Sequence, residues 1–147
     1  MKRYLRAAIK DPGDEDIEIL EAIGKDPRTS PEVRDKVRLA LLAECYDTEV
    51  VIYFDSNTIN LFGDYDAYAA ACAQVRDMLH EVLPKCGYYL KNDAYFERDS
   101  NVAIRAAARI DDVLIPAEDI KKIKDSISNA MNALGFTVTR LIVSDYI

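Results

Sequence analysis

Glycine and proline are scarce in this chain, five of each in 147 residues, and their placement constrains the fold more than any other feature. Proline lacks an N–H and clashes with the preceding helical turn, while glycine loses the most backbone freedom on ordering, so both are poor inside regular elements. Pro12, Gly13, Gly24, Pro27, Pro31, Gly63, Pro84, Gly87, Pro116 and Gly135 fall between periodic segments and divide the chain into elements. Asp11 is placed to cap a first helix, with Pro12 in its first turn, Ile17, Leu20 and Ile23 on one face, and Gly24 just past its end. A second helix opens at Ser30-Pro31 and runs to about Cys45, carrying Val33, Val37, Ala40, Leu41 and Glu44 at helical spacing. Together they form a helical hairpin.

From Glu49 the pattern changes. Glu49-Val50-Val51-Ile52-Tyr53-Phe54-Asp55 is a β-branched and aromatic run of strand length. Asp64 then caps a long helix with the stripe Tyr68, Cys72, Val75, Leu79 and Val82, closed by Pro84 and Gly87. Tyr88 to Arg98 and Val102 to Ile110 read as strands joined near Asp99-Ser100-Asn101. The run Ala106-Ala107-Ala108 suits a helix on propensity, but Val102, Ile104, Ala106, Ala108 and Ile110 alternate with Ala103, Arg105, Ala107 and Arg109, which favours a strand. Pro116 opens a helix with Ile120, Ile123, Ile127, Ala130, Met131 and Leu134 on one face, stopped by Gly135, and Phe136 to Tyr146 is the last strand.

The expected fold class is therefore α+β: an N-terminal helical hairpin over residues 1–48, then a ferredoxin-like (βαββαβ) antiparallel sheet with two helices on one face over 49–147. That length can bury a core without disulfides or a structural metal. The three cysteines, Cys45, Cys72 and Cys86, form no CxxC pair and are odd in number, which fits a reducing cytoplasm. A positively charged start, Met1-Lys2-Arg3, is followed too soon by Lys10 and Asp11 to make a signal peptide. Composition, with 50% hydrophobic and 31% charged residues, excludes intrinsic disorder and a membrane span.

Asp26-Pro27-Arg28-Thr29-Ser30-Pro31-Glu32-Val33 resembles the loop-and-helix unit of leucine-rich repeat variant proteins, over roughly residues 26–43. That resemblance implies a helical binding element of the kind those proteins stack into solenoids. The nearest internal echo is Lys10-Asp11-Pro12 against Lys25-Asp26-Pro27, short of the three or more units a solenoid stacks.

No catalytic, metal or nucleotide signature stands out, and no cofactor is expected. His80 lies one position past its helix stripe, beside Asp77 and Glu81, and Cys86 lacks neighbours that would lower a thiol pKa. Asp11, Asp14, Glu15, Asp16, Glu18 and Glu21 crowd around one helix start without the alternate-position ligands and mid-loop glycine of a calcium loop. Asp111-Asp112 reads as a turn, and Lys121, Lys122 and Lys124 as a solvated helix surface balanced by Glu118, Asp119 and Asp125. A formal charge of -7 disfavours direct nucleic-acid binding.

Two contact surfaces are expected. One is the acidic row Asp11, Asp14, Glu15, Glu18 and Glu21; the other is the strand face carrying Tyr53, Tyr95, Arg105 and Arg109, shared with Asp55, Asp93 and Glu97. Both sheet faces are partly apolar, so the second is expected to meet the hairpin, a second copy in a homodimer, or a partner. The leading expectation is a small acidic, non-enzymatic interaction or regulatory protein that binds another protein. It is similar in class to anti-restriction and anti-CRISPR inhibitors, which occupy the basic groove of a nucleic-acid enzyme. Alternatives are a small-ligand sensor or enzyme with a cleft between hairpin and sheet, and an RNA-binding module stacking bases on the strand face.

Overall fold

The computed structural model describes residues 14–43, 47–56, 60–99, 103–111 and 114–146. It is an α+β fold, with four helices and a four-stranded antiparallel sheet among the described residues. Helix α1 (Asp14–Lys25) and helix α2 (Pro31–Ala43) come first, then strand β1 (Asp47–Ser56), helix α3 (Tyr65–Lys85), strands β2 (Tyr95–Asp99) and β3 (Ala103–Ile110), helix α4 (Ala117–Ala133) and strand β4 (Phe136–Tyr146). The sheet order is β2-β3-β1-β4. Asp11, Glu44, Cys45, Val102 and Asp112 lie outside the described residues.

The turn between α1 and α2 is built from side chains with short reach. Asp26 accepts from the Arg28 backbone N–H at 2.9 Å and from its guanidinium at 2.9 and 3.1 Å, and Thr29 Oγ1 donates to the Ile23 carbonyl. Ser30 Oγ accepts from the Val33 N–H, giving α2 its N-terminal cap. The hairpin closes over Leu20, Val37, Ala40 and Leu41, joined by Leu114 from the segment before α4. The next residue, Ile115, enters a separate and larger core.

That larger core lies between one sheet face and helices α3 and α4. The strands contribute Val50, Ile52, Phe54, Ile104, Ala106 and Ile110, and the helices Val75, Leu79, Leu83, Ile123, Ile127 and Met131. Phe54 and Phe136 meet edge to face, ring centroids 5.2 Å apart. Asp64 caps α3 as its position suggests, accepting from the Asp66 and Ala67 N–H groups. Gly135, at φ +85°, ends α4 in the left-handed region that glycine enters without penalty.

Several sequence expectations need correction. Gly24 lies inside α1, where a Cβ would stand 2.5 Å from Leu114 Cδ1, so it permits close approach rather than ending the helix. Pro84 sits in the last turn of α3, which runs on to Lys85. The buried stripe of α3 is rotated toward Ala71, Met78 and Leu83, leaving Tyr68 and Val82 half-buried. Leu134, expected on the buried face of α4, is its C-cap and is 41% exposed.

The expected strand from Tyr88 to Arg98 is regular only from Tyr95. Before it, Leu90 bridges Ile110, with the Lys91 N–H donating to the Arg109 carbonyl and the Asp111 N–H to the Tyr89 carbonyl, and the chain leaves the sheet only between Lys91 and Tyr95. Side chains fix this stretch: the Tyr88 hydroxyl donates to Asp119 at 2.6 Å, Lys91 reaches Asp47, and Asp93 meets His80. The alanine-rich segment is strand β3, inside the sheet between β1 and β2.

Candidate functional site

In an antiparallel ladder, residues directly opposite share a face, so the register places the expected strand-face residues together. One row runs Glu97, Arg105, Tyr53 and Arg140 across β2, β3, β1 and β4; the next runs Tyr95, Ala107, Val51 and Ile142. Arg109 stands opposite Glu49, and Glu49 opposite Ser144. Tyr53, Tyr95, Arg105 and Arg109 thus lie on one surface, opposite to the core side. Asp93 lies in the loop before β2, 2.8 Å from His80 Nε2, and reaches the same surface from there, lining a depression with Tyr95, Arg105 and Arg109.

Arg105 on this surface is ion-paired. Arg105 reaches Glu97 at 3.2 Å and Glu49 at 3.8 Å. Burial opposes its charge, but a hydrogen bond with Tyr53 and the nearby glutamates outweigh that, leaving its pKa raised. The Arg140 guanidinium lies over the Tyr53 ring at 5.9 Å, and Thr139 Oγ1 donates to the Tyr53 carbonyl at 3.2 Å. Arg109 is half-buried and engaged within the protein. Tyr95 is 65% exposed, at the rim of a depression of about 370 Å³ that also takes in Asn92, Arg105 and Arg109. Ala107 and Ile142 are half-buried, and Val51 is buried between them.

The acidic row is only partly visible. Asp14 and Glu15 open α1, with side chains outside the described set; Glu18 is exposed; Asp16 and Glu21 are half-buried and interact within the protein. Part of that charge is therefore already engaged. The resemblance to a repeat unit falls on the α1–α2 turn, where Arg28 pulls the Asp26 carboxyl down to about 2 through its hydrogen bonds.

His80 and Cys86 engage different partners, Asp93 for the imidazole and Ser126 Oγ for the thiol at 3.7 Å. Burial pushes the Cys72 thiol up, against a hydrogen bond with Tyr68 that lowers it; burial likewise raises Tyr68. A thiol held protonated is a poor nucleophile. Among the described residues, no group of three or more His, Cys, Asp or Glu side chains could hold a metal ion, and no helix is long and apolar enough to cross a membrane.

Two features escape the sequence. Asp47 is completely buried at the start of β1, with Lys91 Nζ 3.1 and 3.4 Å from its carboxylate oxygens. No local signal marks this pair, since the partners are 44 positions apart and meet only through the sheet. Along the β2 edge, Arg98 lies over Phe62 at 4.4 Å and Arg76 over Phe96 at 5.7 Å, with Tyr65 82% exposed beside them. Their helical and strand spacings are visible in the sequence, but their convergence depends on α3 lying beside β2. No family model, curated protein or solved structure matches the chain.

Proposed function

We propose that this is a small, non-enzymatic interaction protein that binds another protein through the strand face of Tyr53, Tyr95, Arg105 and Arg109. The observation that carries this reading is the ion pairing of Arg105 on that face. Arg105 is committed to Glu97 and Glu49, and Arg140 leans on Tyr53, so a phosphate backbone would have to displace existing partners. A protein surface instead meets exposed Tyr95 on the edge strand and half-buried Tyr53 on β1, with aliphatic Ala107 and Ile142 on the same face. The formal charge of -7 favours a partner with a basic surface, and the nucleic-acid groove of a nuclease has that character.

The proposal includes a ferredoxin-like plan for residues 49–147, supported by the sheet order β2-β3-β1-β4 and by helices α3 and α4 on one face. It also includes the N-terminal helical hairpin, expected over 1–48 but with β1 already begun at Asp47, as an appended unit, supported by its own apolar cluster, and a cytoplasmic setting. Capture with tagged full-length protein from cell lysate, read by mass spectrometry, should recover one nucleic-acid enzyme reproducibly. Fluorescence anisotropy with single-stranded RNA should show no saturable binding at physiological salt. Saturable RNA binding abolished by Tyr95→Ala would replace this reading with the RNA-binding one.

A further inference from the structure

The sheet ends in β2 on one side and β4 on the other, and the two edges are guarded differently. β2 is five residues long and carries Glu97, Arg98 and Asp99, charges of the kind that keep an edge from pairing. β4 is eleven residues long, and no strand among the described residues pairs with its side away from β1. From Phe136 to Ser144 its only charged residue is Arg140, and the strand contains no proline. A register shift against β1 skips Thr139, so the regular ladder runs from Arg140 to Tyr146. Within it Leu141 and Ile142 are half-buried, Leu141 on the core side and Ile142 on the other. A long regular edge with aliphatic side chains and a single charge in that stretch is a template for a further strand.

We propose that the β4 edge pairs antiparallel with β4 of a second copy of this chain, giving one sheet continuous through both copies. Joining the edges about a two-fold axis normal to the sheet keeps each face continuous, so residues directly opposite one another have the same parity along the strand. Centring on Arg140 sets two guanidiniums directly opposite, which is destabilising, and centring on Leu141 or Val143 sets Ile142 opposite Arg140 or Ser144. Centring on Ile142 matches like with like. Ile142 then faces the partner subunit's Ile142, Leu141 faces the partner subunit's Val143, and Arg140 faces the partner subunit's Ser144, with Asp145 opposite Thr139. The stretch from Phe136 to Ser144 holds none of the chain's 26 Asp and Glu, so two copies of formal charge -7 meet where neither brings a carboxylate. The row Tyr95, Ala107, Val51 and Ile142 continues into the same row of the second copy, which doubles the proposed contact face. The pairing does not depend on that contact, and self-association and partner binding are measured separately.

Sedimentation equilibrium of the full-length protein should show a reversible monomer–dimer equilibrium. Ile142→Lys, which opposes two like charges at the axis, should weaken the dimer at least tenfold with the circular dichroism spectrum unchanged, and Ile142→Glu should do the same. An equimolar mixture of the two variants should recover a dimer that neither forms alone. In a sample mixing isotope-labelled and unlabelled wild-type chains, NOEs between chains should join Leu141 to Val143, a reading that stands whether or not the variants fold. A wild-type chain that stays monomeric at the concentrations of the NMR sample, a dimer left intact by Ile142→Lys, no recovery on mixing two folded variants, or interchain NOEs confined to other elements would overturn the proposal.

Discussion

Three residues carry local physics that isolated substitutions can read. Gly24 lets α1 approach Leu114, and an added Cβ would stand 2.5 Å from that side chain. Gly24→Ala gains up to about 1 kcal/mol in helix propensity but overpacks the contact by about 1–3 kcal/mol, so the expected net is a modest loss in urea denaturation. In a Leu114→Ala background the same substitution should be neutral or stabilising. Asp47 is fully buried with its charge facing Lys91, whose own side chain is 40% exposed. Lys91→Met leaves that carboxylate without its partner and should destabilise by about 1–3 kcal/mol, below the penalty for a wholly buried pair because one end meets water. Asp47→Asn should recover part of the loss.

Asp26 offers a pH signature. Its folded-state pKa is depressed to about 2, chiefly by the Arg28 side-chain hydrogen bond, so its stabilising effect is present above the ordinary carboxylate range and fades as pH falls toward 2. In Arg28→Ala the Asp26 carboxyl should titrate in the ordinary range by NMR, and this part of the acid dependence of stability should disappear.

At the scale of elements, α3 shows most clearly how an end is specified. Asp64 satisfies two otherwise unpaired N–H groups, and Asp64→Ala should lower stability by about 1 kcal/mol with the fold unchanged in circular dichroism. Such signals are local, which is why Asp64, Ser30 and Gly135 mark boundaries legible in the sequence. The alanine run of β3 was legible through its alternation, since pairing on both edges overrides helix propensity and Ala106 and Ala108 lie beneath the helices. The break in pairing between Lys91 and Tyr95 was not legible, because the side-chain contacts beside it, Lys91 with Asp47 and Asp93 with His80, come from other elements. The depth of Gly24 likewise depends on Leu114, far away in the sequence. Alternation was enough to put Tyr53, Tyr95, Arg105 and Arg109 on one face, but the pairing of Arg105 with Glu97 and Glu49 needed the strand register.

For the whole molecule, two apolar clusters divide the work of holding the chain together. One joins the sheet to α3 and α4; the other closes the hairpin and holds it through Leu114. The strand face carries Arg105 paired with Glu97 and Glu49, within a chain whose formal charge is -7. In the proposed reading, long-range attraction to a basic partner would set the association rate, and aromatic contact would set how long the complex lasts. The most direct test measures the affinity of the captured partner for two variants, Tyr53→Ala/Tyr95→Ala and Asp14→Gln/Glu18→Gln/Glu21→Gln. The strand-face account predicts at least a tenfold loss, about 1.4 kcal/mol, for the tyrosine pair and a smaller, salt-sensitive slowing of association for the acidic triple. A tenfold loss in the acidic triple with full affinity retained by the tyrosine pair, both variants folded, would contradict it and place the contact on α1.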